Sequence, residues 1–339
     1  MNASVSNTTS IGIVARHIGK IIKSPFLLLD VGASGGIGES WRHIGPRLAG
    51  FGFDPNRVAC AELNKLGDPI RYIASCIVGP PASSPHYDLL STYPGGRLHV
   101  DAVLAAQRKT MDQYFTPSGV DFVRSHQAGQ VPKVNAVEQR KFNIRTKADD
   151  AFTLDDFANR QSLASIDFIK IDTDGTDFDV LRGAEASLFK RNVLGVQIEA
   201  QFAGSTHPLT NTFANIDVFM RRQGFTLFSI PELNKYARMQ IPGKFVHSFP
   251  SQGYFGQLLW CDAVYLRDVC RPDYFSNWPI EFGLDKLLNL LCLFDLYGLP
   301  DCGAELTLSF SDELTRSGID PMPILNLFRQ QADVIDPVS

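Results

Sequence analysis

An acidic and glycine-rich segment is the part of this sequence best suited to bind a ligand. The apolar run 26–29 ends in Asp30. Three glycines follow within the next six residues: Gly32, Gly35 and Gly36. This pattern predicts a buried strand that opens into a tight turn, because glycine lets the backbone bend sharply and approach a ligand closely.

A second carboxylate stands about twenty residues further on, as in nucleoside-binding βαβ units. The apolar stretch 48–53 ends in Asp54, at the tip of a second predicted strand. A carboxylate there can accept hydrogen bonds from both hydroxyls of a ribose. We expect a helix over residues 37–47 between the two strands, with its N-terminus directed at the ligand. Together these features predict a nucleoside cofactor.

The glycine spacing argues against a dinucleotide. The G-x-G-x-x-G fingerprint requires a second glycine two residues after the first, whereas Gly32 is followed by Ala33, Ser34 and Gly35. Asp30 would also face the ligand and repel a pyrophosphate. S-adenosylmethionine carries a sulfonium and an amino group but no phosphate, so electrostatics favour it over NAD.

The composition excludes several classes of protein. Of the 339 residues, 44% are hydrophobic and 20% are charged, which is ordinary for a globular protein with a sizeable core. The net charge of −4 provides no general basic field for nucleic acid or an anionic membrane. Residues 1–10 lack the apolar core of a signal peptide, and no apolar run reaches the length of about 18 that spans a bilayer. We therefore expect a cytoplasmic protein without stable membrane insertion or a nucleic-acid partner.

Predicted strands and helices alternate along most of the chain, which favours an α/β fold with a parallel central sheet. The predicted strands are 26–31, 50–53, 71–78, 166–172, 195–199, 226–230 and 258–266. The predicted helices are 11–23, 37–47, 57–66, 154–159, 177–190, 211–223 and 284–297. The last two strands have no helical crossover between them, so we expect an antiparallel pair at the sheet edge.

The same pattern predicts the domain organisation. Residues 1–24 form an N-terminal helix, and residues 25–267 form the α/β domain. An insertion over about 79–148 interrupts the alternation with repeated prolines and glycines. Residues 268–339 form a helical C-terminal extension.

Six motifs in a fixed order give the chain a resemblance to a known family. They are Leu-Asp-Val-Gly-Ala-Ser-Gly-Gly (29–36), Gly-Phe-Asp-Pro-Asn (52–56), Thr-Leu-Asp-Asp-Phe (153–157), Ile-Asp-Phe-Ile-Lys-Ile-Asp-Thr-Asp-Gly-Thr-Asp (166–177), Val-Leu-Arg-Gly-Ala (180–184) and Gln-Ile-Glu (197–199). The series resembles the FkbM-type family of S-adenosylmethionine-dependent methyltransferases over roughly residues 25–267. The resemblance implies a Rossmann-like class I methyltransferase sandwich, with a mostly parallel seven-strand sheet and a reversed edge hairpin. It also implies O-methylation, commonly of a sugar or polyketide hydroxyl.

The resemblance further implies which residues bind S-adenosylmethionine. Its methionine end would lie against Asp30, Gly32, Ala33, Ser34 and Gly36. Its ribose hydroxyls would bind Asp54, and its adenosine would lie beside Pro55 and Asn56. The family usually has Asn at the position of Ser34 and Glu at that of Asp54, and because these changes keep polarity or charge, cofactor binding should survive them.

Methyl transfer to a hydroxyl also requires removal of a proton. The resemblance places Asp172 and Glu199 beside the reactive end of the cofactor, where we expect them to position the acceptor. His207 follows the predicted fifth strand, at the edge of the sheet where α/β proteins bind ligands, and is our hypothesis for the general base.

The acidic run after the fourth predicted strand has two interpretations. Asp172, Asp174, Asp177 and Asp179 could bind Mg²⁺ or Ca²⁺. We favour a strand-to-helix junction at which acidic residues complement the helix dipole, and we predict no metal.

The sequence alone does not identify the methyl acceptor or the oligomeric state. The family tends to carry paired serines after the third strand, whereas residues 92–97 read Thr-Tyr-Pro-Gly-Gly-Arg. We expect a small-molecule or glycan acceptor, walled by residues 79–148 and 231–257, and the sequence leaves the choice between a monomer and a homo-oligomer open. Alternatives are N- or carboxyl-methylation on the same fold, a non-catalytic binding module that docks through residues 268–339, and an NAD-dependent dehydrogenase.

Overall fold

The computed structural model describes residues 11–80, 98–99, 147–148, 151–173, 175–202, 208–236 and 257–335. The strands are β1 (Phe26–Val31), β2 (Leu48–Asp54), β3 (Ile70–Ala74), β4 (Cys76–Ile77), β5 (Leu98–His99), β6 (Lys147–Ala148), β7 (Ala151–Phe152), β8 (Phe168–Ile171), β9 (Gly195–Gln201), β10 (Thr226–Tyr236) and β11 (Gln257–Leu266). The helices are α1 (Ile13–Ile21), a 3₁₀ helix (Glu39–Arg47), α2 (Arg57–Lys65), α3 (Leu154–Arg160), α4 (Asp177–Arg182), α5 (Glu185–Lys190), α6 (Phe213–Arg222), α7 (Tyr274–Asn277), α8 (Leu284–Leu296), α9 (Pro300–Ser309), α10 (Ser311–Arg316) and α11 (Pro321–Ile335).

A seven-strand sheet in the order β10-β11-β9-β8-β1-β2-β3 forms the centre. The five strands from β9 to β3 are parallel, whereas β11 is antiparallel to both β9 and β10. This arrangement confirms the predicted Rossmann-like fold with its reversed edge hairpin. The strand order changes direction between β1 and β8, and α/β proteins bind ligands at the carboxyl ends of the strands beside such a point.

Local breaks in the backbone account for the differences from the predicted elements. The α-helix expected over 37–47 is wrong, because the segment is a 3₁₀ helix in which Gly45 has a φ of 68° and Pro46 has no N–H. The helix expected over 177–190 divides into α4 and α5 around Gly183 and Ala184. The strand expected over 71–78 divides into β3 and β4, and β4 pairs with β7 outside the large sheet.

The two faces of the sheet are covered by different parts of the chain. Side chains of α3 to α6 pack against one face, whose strand residues include Leu29, Ile169 and Ile198. The other face, with Leu28 and Phe168, packs against α1, the 3₁₀ helix and the C-terminal helices α8 to α11. The helices before and after the α/β unit therefore share one core with the sheet.

Buried polar groups fix the C-terminal helices to this face. The Asp167 carboxylate accepts hydrogen bonds from the Leu27 backbone N–H at 2.8 Å, from Lys286 Nζ at 2.8 Å and from Asn289 Nδ2 at 3.1 Å. Arg47 of the 3₁₀ helix donates in turn to Asn289. Because a buried charge is costly unless it is paired, this network specifies how α8 sits on the sheet.

Asp295 near the end of α8 caps the start of α1. Its two carboxylate oxygens accept from the backbone N–H groups of Gly12 at 3.0 Å and Ala15 at 2.8 Å. Gln331 of α11 donates to the same carboxylate at 2.9 Å. Three helices that are distant in sequence therefore meet at one side chain.

We expect Asp295→Asn to destabilise the protein most strongly at acidic pH. Burial raises the pKa of Asp295 to about 6, above its ordinary value of 3.8. The stability that this group contributes is thus present in full below about pH 4 and is lost as the pH rises through 6. The substitution should lower the free energy of unfolding by about 1–3 kcal/mol at pH 5 and by less at pH 7.5, measured by urea titration. Asp285→Asn, an exposed change on the same helix, serves as the control, and equal losses at both pH values would contradict the assignment.

Candidate active site

The glycine turn after β1 is held between the ends of two neighbouring strands. The backbone N–H groups of Gly32 and Ala33 donate to the Phe53 carbonyl at 2.9 and 3.0 Å. On the other side, the Asp172 N–H donates to the Val31 carbonyl at 2.9 Å. The ends of β1, β2 and β8 therefore converge where the sequence predicts a ligand.

Gly32 is required by both conformation and space. Its φ is 88°, and a Cβ at this position would lie 1.7 Å from the carbonyl oxygen of Asp172. The turn closes at Gly36, whose N–H donates to the Ala33 carbonyl at 3.1 Å. Ser34 and Gly35 lie exposed at its tip, so the tip of the turn beside β2 is accessible to solvent.

Asp30 lies beneath this turn as a buried carboxylate with unused hydrogen-bonding capacity. The residue is 1% exposed, and its Oδ1 has no hydrogen-bond partner among the residues that the structure describes. Lys170 Nζ lies 3.6 Å from this oxygen, close enough for an ion pair. Burial raises the pKa of Asp30, and Lys170 opposes that rise. A buried acceptor in this state suits a ligand that brings a cationic donor.

The second predicted carboxylate, Asp54, lies at the end of β2 and is 8% exposed. Its Oδ1 accepts a hydrogen bond from the Asn56 N–H at 2.7 Å, which fixes the direction of the carboxylate. The Asn56 side chain accepts from the Ala59 N–H at 3.1 Å and caps α2, so its amide oxygen has a structural role. Pro55 is half-buried between them.

Acidic residues from three adjacent strands are register neighbours on the other side of the turn. The Asp172 side chain is 43% exposed and its Oδ2 accepts from Lys170 Nζ at 3.1 Å. Ile171 pairs with Ile198, which places Glu199 beside Asp172 on the next strand. Glu199 pairs in turn with Asp262 of β11. The predicted carboxylates Asp172 and Glu199 are thus neighbours at the edge that carries the glycine turn.

Sequence reasoning missed three polar residues that support this group. Gln197 Nε2 donates to Asp262 Oδ2 at 2.7 Å, and the Tyr297 hydroxyl, from the residue after α8, donates to Gln197 Oε1 at 2.8 Å. Burial raises the pKa of Asp262, the hydrogen bond from Gln197 lowers it, and Asp172 raises it further. Polar residues inside otherwise apolar strands are the signal that could have identified Gln197 and Asp262.

Asp177 organises the loop that follows β8. Its carboxylate accepts from the Thr173 N–H at 2.6 Å, the Gly175 N–H at 2.9 Å and Asn211 Nδ2 at 3.0 Å. Burial raises the pKa of Asp177 to about 6, although the hydrogen bonds from the Thr173 and Gly175 N–H groups lower it. Asp177 therefore holds this loop, whereas Asp172 pairs with Lys170 and Asp179 accepts a hydrogen bond from the Gly79 N–H at 3.1 Å. Asp174 lies outside the described residues.

The described residues contain neither a metal-binding cluster nor a membrane-spanning helix. Within the ranges that the structure describes, no group of three or more His, Cys, Asp or Glu side chains is arranged to hold a metal ion. None of the helices in those ranges is long and apolar enough to cross a membrane. His207, the hypothetical base, and most of the insertion over 79–148 lie outside the described residues.

Comparison with known proteins assigns the domain. The family model for the methyltransferase FkbM domain matches residues 84–227. The chain carries an FkbM-type methyltransferase domain. The matched stretch contains β8, β9 and α6, with Asp172 and Glu199 among its residues, whereas the glycine turn precedes it. No curated protein matches the chain. The match confirms the FkbM resemblance and contains the four motifs between residues 153 and 199, and the activity it indicates is that of a methyltransferase.

We expect Gly32→Ala to destabilise this methyltransferase by roughly 3 kcal/mol or more, because the new methyl group overlaps the Asp172 carbonyl and the backbone is left-handed there. Gly35→Ala is the matched control. No heavy atom of the described residues lies within 4 Å of a Cβ at Gly35, and its φ is not positive. Urea unfolding should separate the two variants, and similar losses for both would contradict the tight turn.

Proposed function

We propose that the protein is an S-adenosylmethionine-dependent methyltransferase that methylates a hydroxyl group of a carbohydrate or secondary-metabolite acceptor. The observation that carries this proposal is the Asp30 carboxylate, which is 1% exposed and keeps an oxygen without a hydrogen bond in the described structure. The carboxylate lies directly before the glycine turn, in a chain that carries an FkbM-type methyltransferase domain.

The charge of Asp30 favours a cationic methyl donor over a phosphate-bearing cofactor. A buried carboxylate next to a pyrophosphate would cost several kcal/mol, since two like charges about 4 Å apart repel strongly at low dielectric. An amino group in the same place would donate a hydrogen bond to the Asp30 carboxylate, which burial has already removed from water. The geometry therefore supports S-adenosylmethionine more strongly than NAD.

The residues around the turn would divide the binding of this donor between them. Asp30 would accept from the amino group, and the backbone of Gly32, Ala33, Ser34 and Gly36 would wall the methionine end. Asp54, held by the Asn56 N–H, would accept from the ribose hydroxyls, with Pro55 beside the adenosine. When bound, the donor supplies an electrophilic methyl group for displacement by the acceptor oxygen.

The acceptor side of the site must orient a hydroxyl and remove its proton. Asp172 directly follows β8 and Glu199 lies beside it on β9, where both would hydrogen-bond a hydroxyl placed over the turn. We propose that these carboxylates position the acceptor and that His207 serves as the general base. The resemblance to FkbM-type enzymes supports a hydroxyl as the methylated group.

Calorimetric titration with S-adenosylhomocysteine tests the donor. We expect the wild-type protein to bind it and not to bind NADH. Asp30→Asn should weaken binding by about 10-fold to 100-fold, because a charge-assisted hydrogen bond contributes about 1.5–3 kcal/mol. Asp273→Asn removes a carboxylate that is 56% exposed and should leave the affinity unchanged. Absence of binding by the folded wild-type protein would reject the proposed function, and binding of NADH would favour a dehydrogenase.

Methyl transfer from labelled S-adenosylmethionine to a panel of sugars, nucleotide-linked sugars and phenols tests the acceptor. We expect an alkali-stable methyl ether, whereas an alkali-labile product would indicate carboxyl methylation. Removal of the side chain that accepts the proton should lower kcat by about 10²-fold to 10⁴-fold without weakening the binding of S-adenosylhomocysteine. The variants are His207→Ala, Asp172→Asn and Glu199→Gln, with Glu62→Gln on the exposed face of α2 as control. Near-wild-type turnover by His207→Ala would remove that residue from the role of base.

A further inference from the structure

Lys170 is a cation on the face of the central sheet that packs against α1, the 3₁₀ helix and the C-terminal helices. In the sheet register it pairs with Asp30 of β1 on one side and with Gln197 of β9 on the other. Register partners in a parallel sheet project to the same face, so three polar side chains lie side by side there. The next residues on this face toward the amino ends of the strands are Leu28 and Phe168, which belong to the apolar core.

The Lys170 ammonium joins a buried carboxylate to a half-exposed one. Its Nζ lies 3.1 Å from Asp172 Oδ2, within hydrogen-bond distance, and 3.6 Å from Asp30 Oδ1. The side chains of Lys170, Asp30 and Asp172 are 21%, 2% and 43% exposed. Lys170 therefore pairs electrostatically with Asp30 and leaves Asp30 Oδ1 able to accept another hydrogen bond.

The charge state of Lys170 rules it out as a proton acceptor near neutral pH. Burial alone would lower the pKa of Lys170, but Asp30 and Asp172 outweigh that effect and the pKa lies above its ordinary value. Lys170 is accordingly an ammonium whose effect on the site is electrostatic.

The other titratable groups that face Asp30 in the described structure do not compensate its charge. Asp172 raises the pKa of Asp30, and the hydroxyls of Tyr72 and Tyr297 interact electrostatically with the Asp30 carboxylate. Asp262 acts on Lys170 from β11 and adds a further negative charge. Without Lys170, burial and like charge would together favour a protonated Asp30.

We propose that Lys170 is a positioning residue that keeps Asp30 ionised beneath the glycine turn, so that Asp30 can take the amino group at the methionine end of the methyl donor. The same ammonium holds Asp172 at the neighbouring strand end and so links the donor side of the site to the acceptor side. This inference rests on the proposed function, because it assumes that the donor carries an amino group.

Calorimetric titration of S-adenosylhomocysteine against pH tests the proposal. We expect the affinity of the wild-type protein to be nearly constant between pH 6 and 8. In Lys170→Met the affinity should fall as the pH is lowered, approaching tenfold per pH unit once Asp30 takes up its proton. Lys170→Arg keeps the charge and should restore the wild-type profile. Lys190→Met, an exposed change on α5, is the control.

A second ligand separates this role from a general effect on folding. 5′-Methylthioadenosine has the adenosine part but lacks the amino acid, so its affinity should be the same in Lys170→Met and wild type. Equal weakening of both ligands, or an S-adenosylhomocysteine affinity in Lys170→Met that does not depend on pH, would overturn the proposal. Failure of the wild-type protein to bind S-adenosylhomocysteine would instead reject the proposed function itself, and the role of Lys170 with it.

Urea unfolding gives a measurement that needs no ligand. Lys170→Met leaves Asp30 buried without its cation and should lower the unfolding midpoint at pH 8. Adding Asp30→Asn removes the uncompensated charge, so the double variant should unfold at higher urea than Lys170→Met alone. A double variant that is less stable than Lys170→Met would show that Lys170 and Asp30 are not coupled and would overturn the proposal.

Discussion

Strand β1 lies between β2 and β8, and this pairing holds the glycine turn of the candidate site in place. The Phe53 carbonyl accepts from the Gly32 and Ala33 N–H groups, and the Val31 carbonyl accepts from the Asp172 N–H. Three strand ends therefore meet at one point, and the turn after β1 must fit between its neighbours. The fit depends on Gly32, because any side chain there would overlap the carbonyl of the strand beside it.

The face of the sheet beneath the site is completed by parts of the chain that lie far from it in sequence. The Asp167 carboxylate ties α8 to β1 through Lys286 and the Leu27 N–H, and Asp295 ties α8 to α1. Tyr297, which follows α8, packs on Phe168 with ring centroids 5.7 Å apart and reaches Gln197 with its hydroxyl. The C-terminal helices thus support polar groups of the site in addition to covering the core.

Local sequence patterns predicted most elements but not their interruptions. Strand β1 has the predicted bounds because its apolar run ends abruptly in Asp30 and Gly32. The segment 37–47 was predicted as an α-helix and is a 3₁₀ helix, since Gly45 and Pro46 favour a kink over regular i to i−4 hydrogen bonds. Strand β10 extends six residues beyond the predicted end at Ile230, because pairing with β11 stabilises a segment whose own pattern resembles a loop.

The sequence by itself determined the position of the glycine turn, the carboxylates at the ends of β1 and β2, and the alternation that builds a parallel sheet. These features follow from hydrophobic periodicity and backbone preference within short segments. Only the tertiary structure decided that Lys170 lies against Asp30 and that Tyr297 holds Gln197, 100 residues away along the chain. Contacts of this kind depend on strand register and helix packing, which bring together residues that share no local pattern.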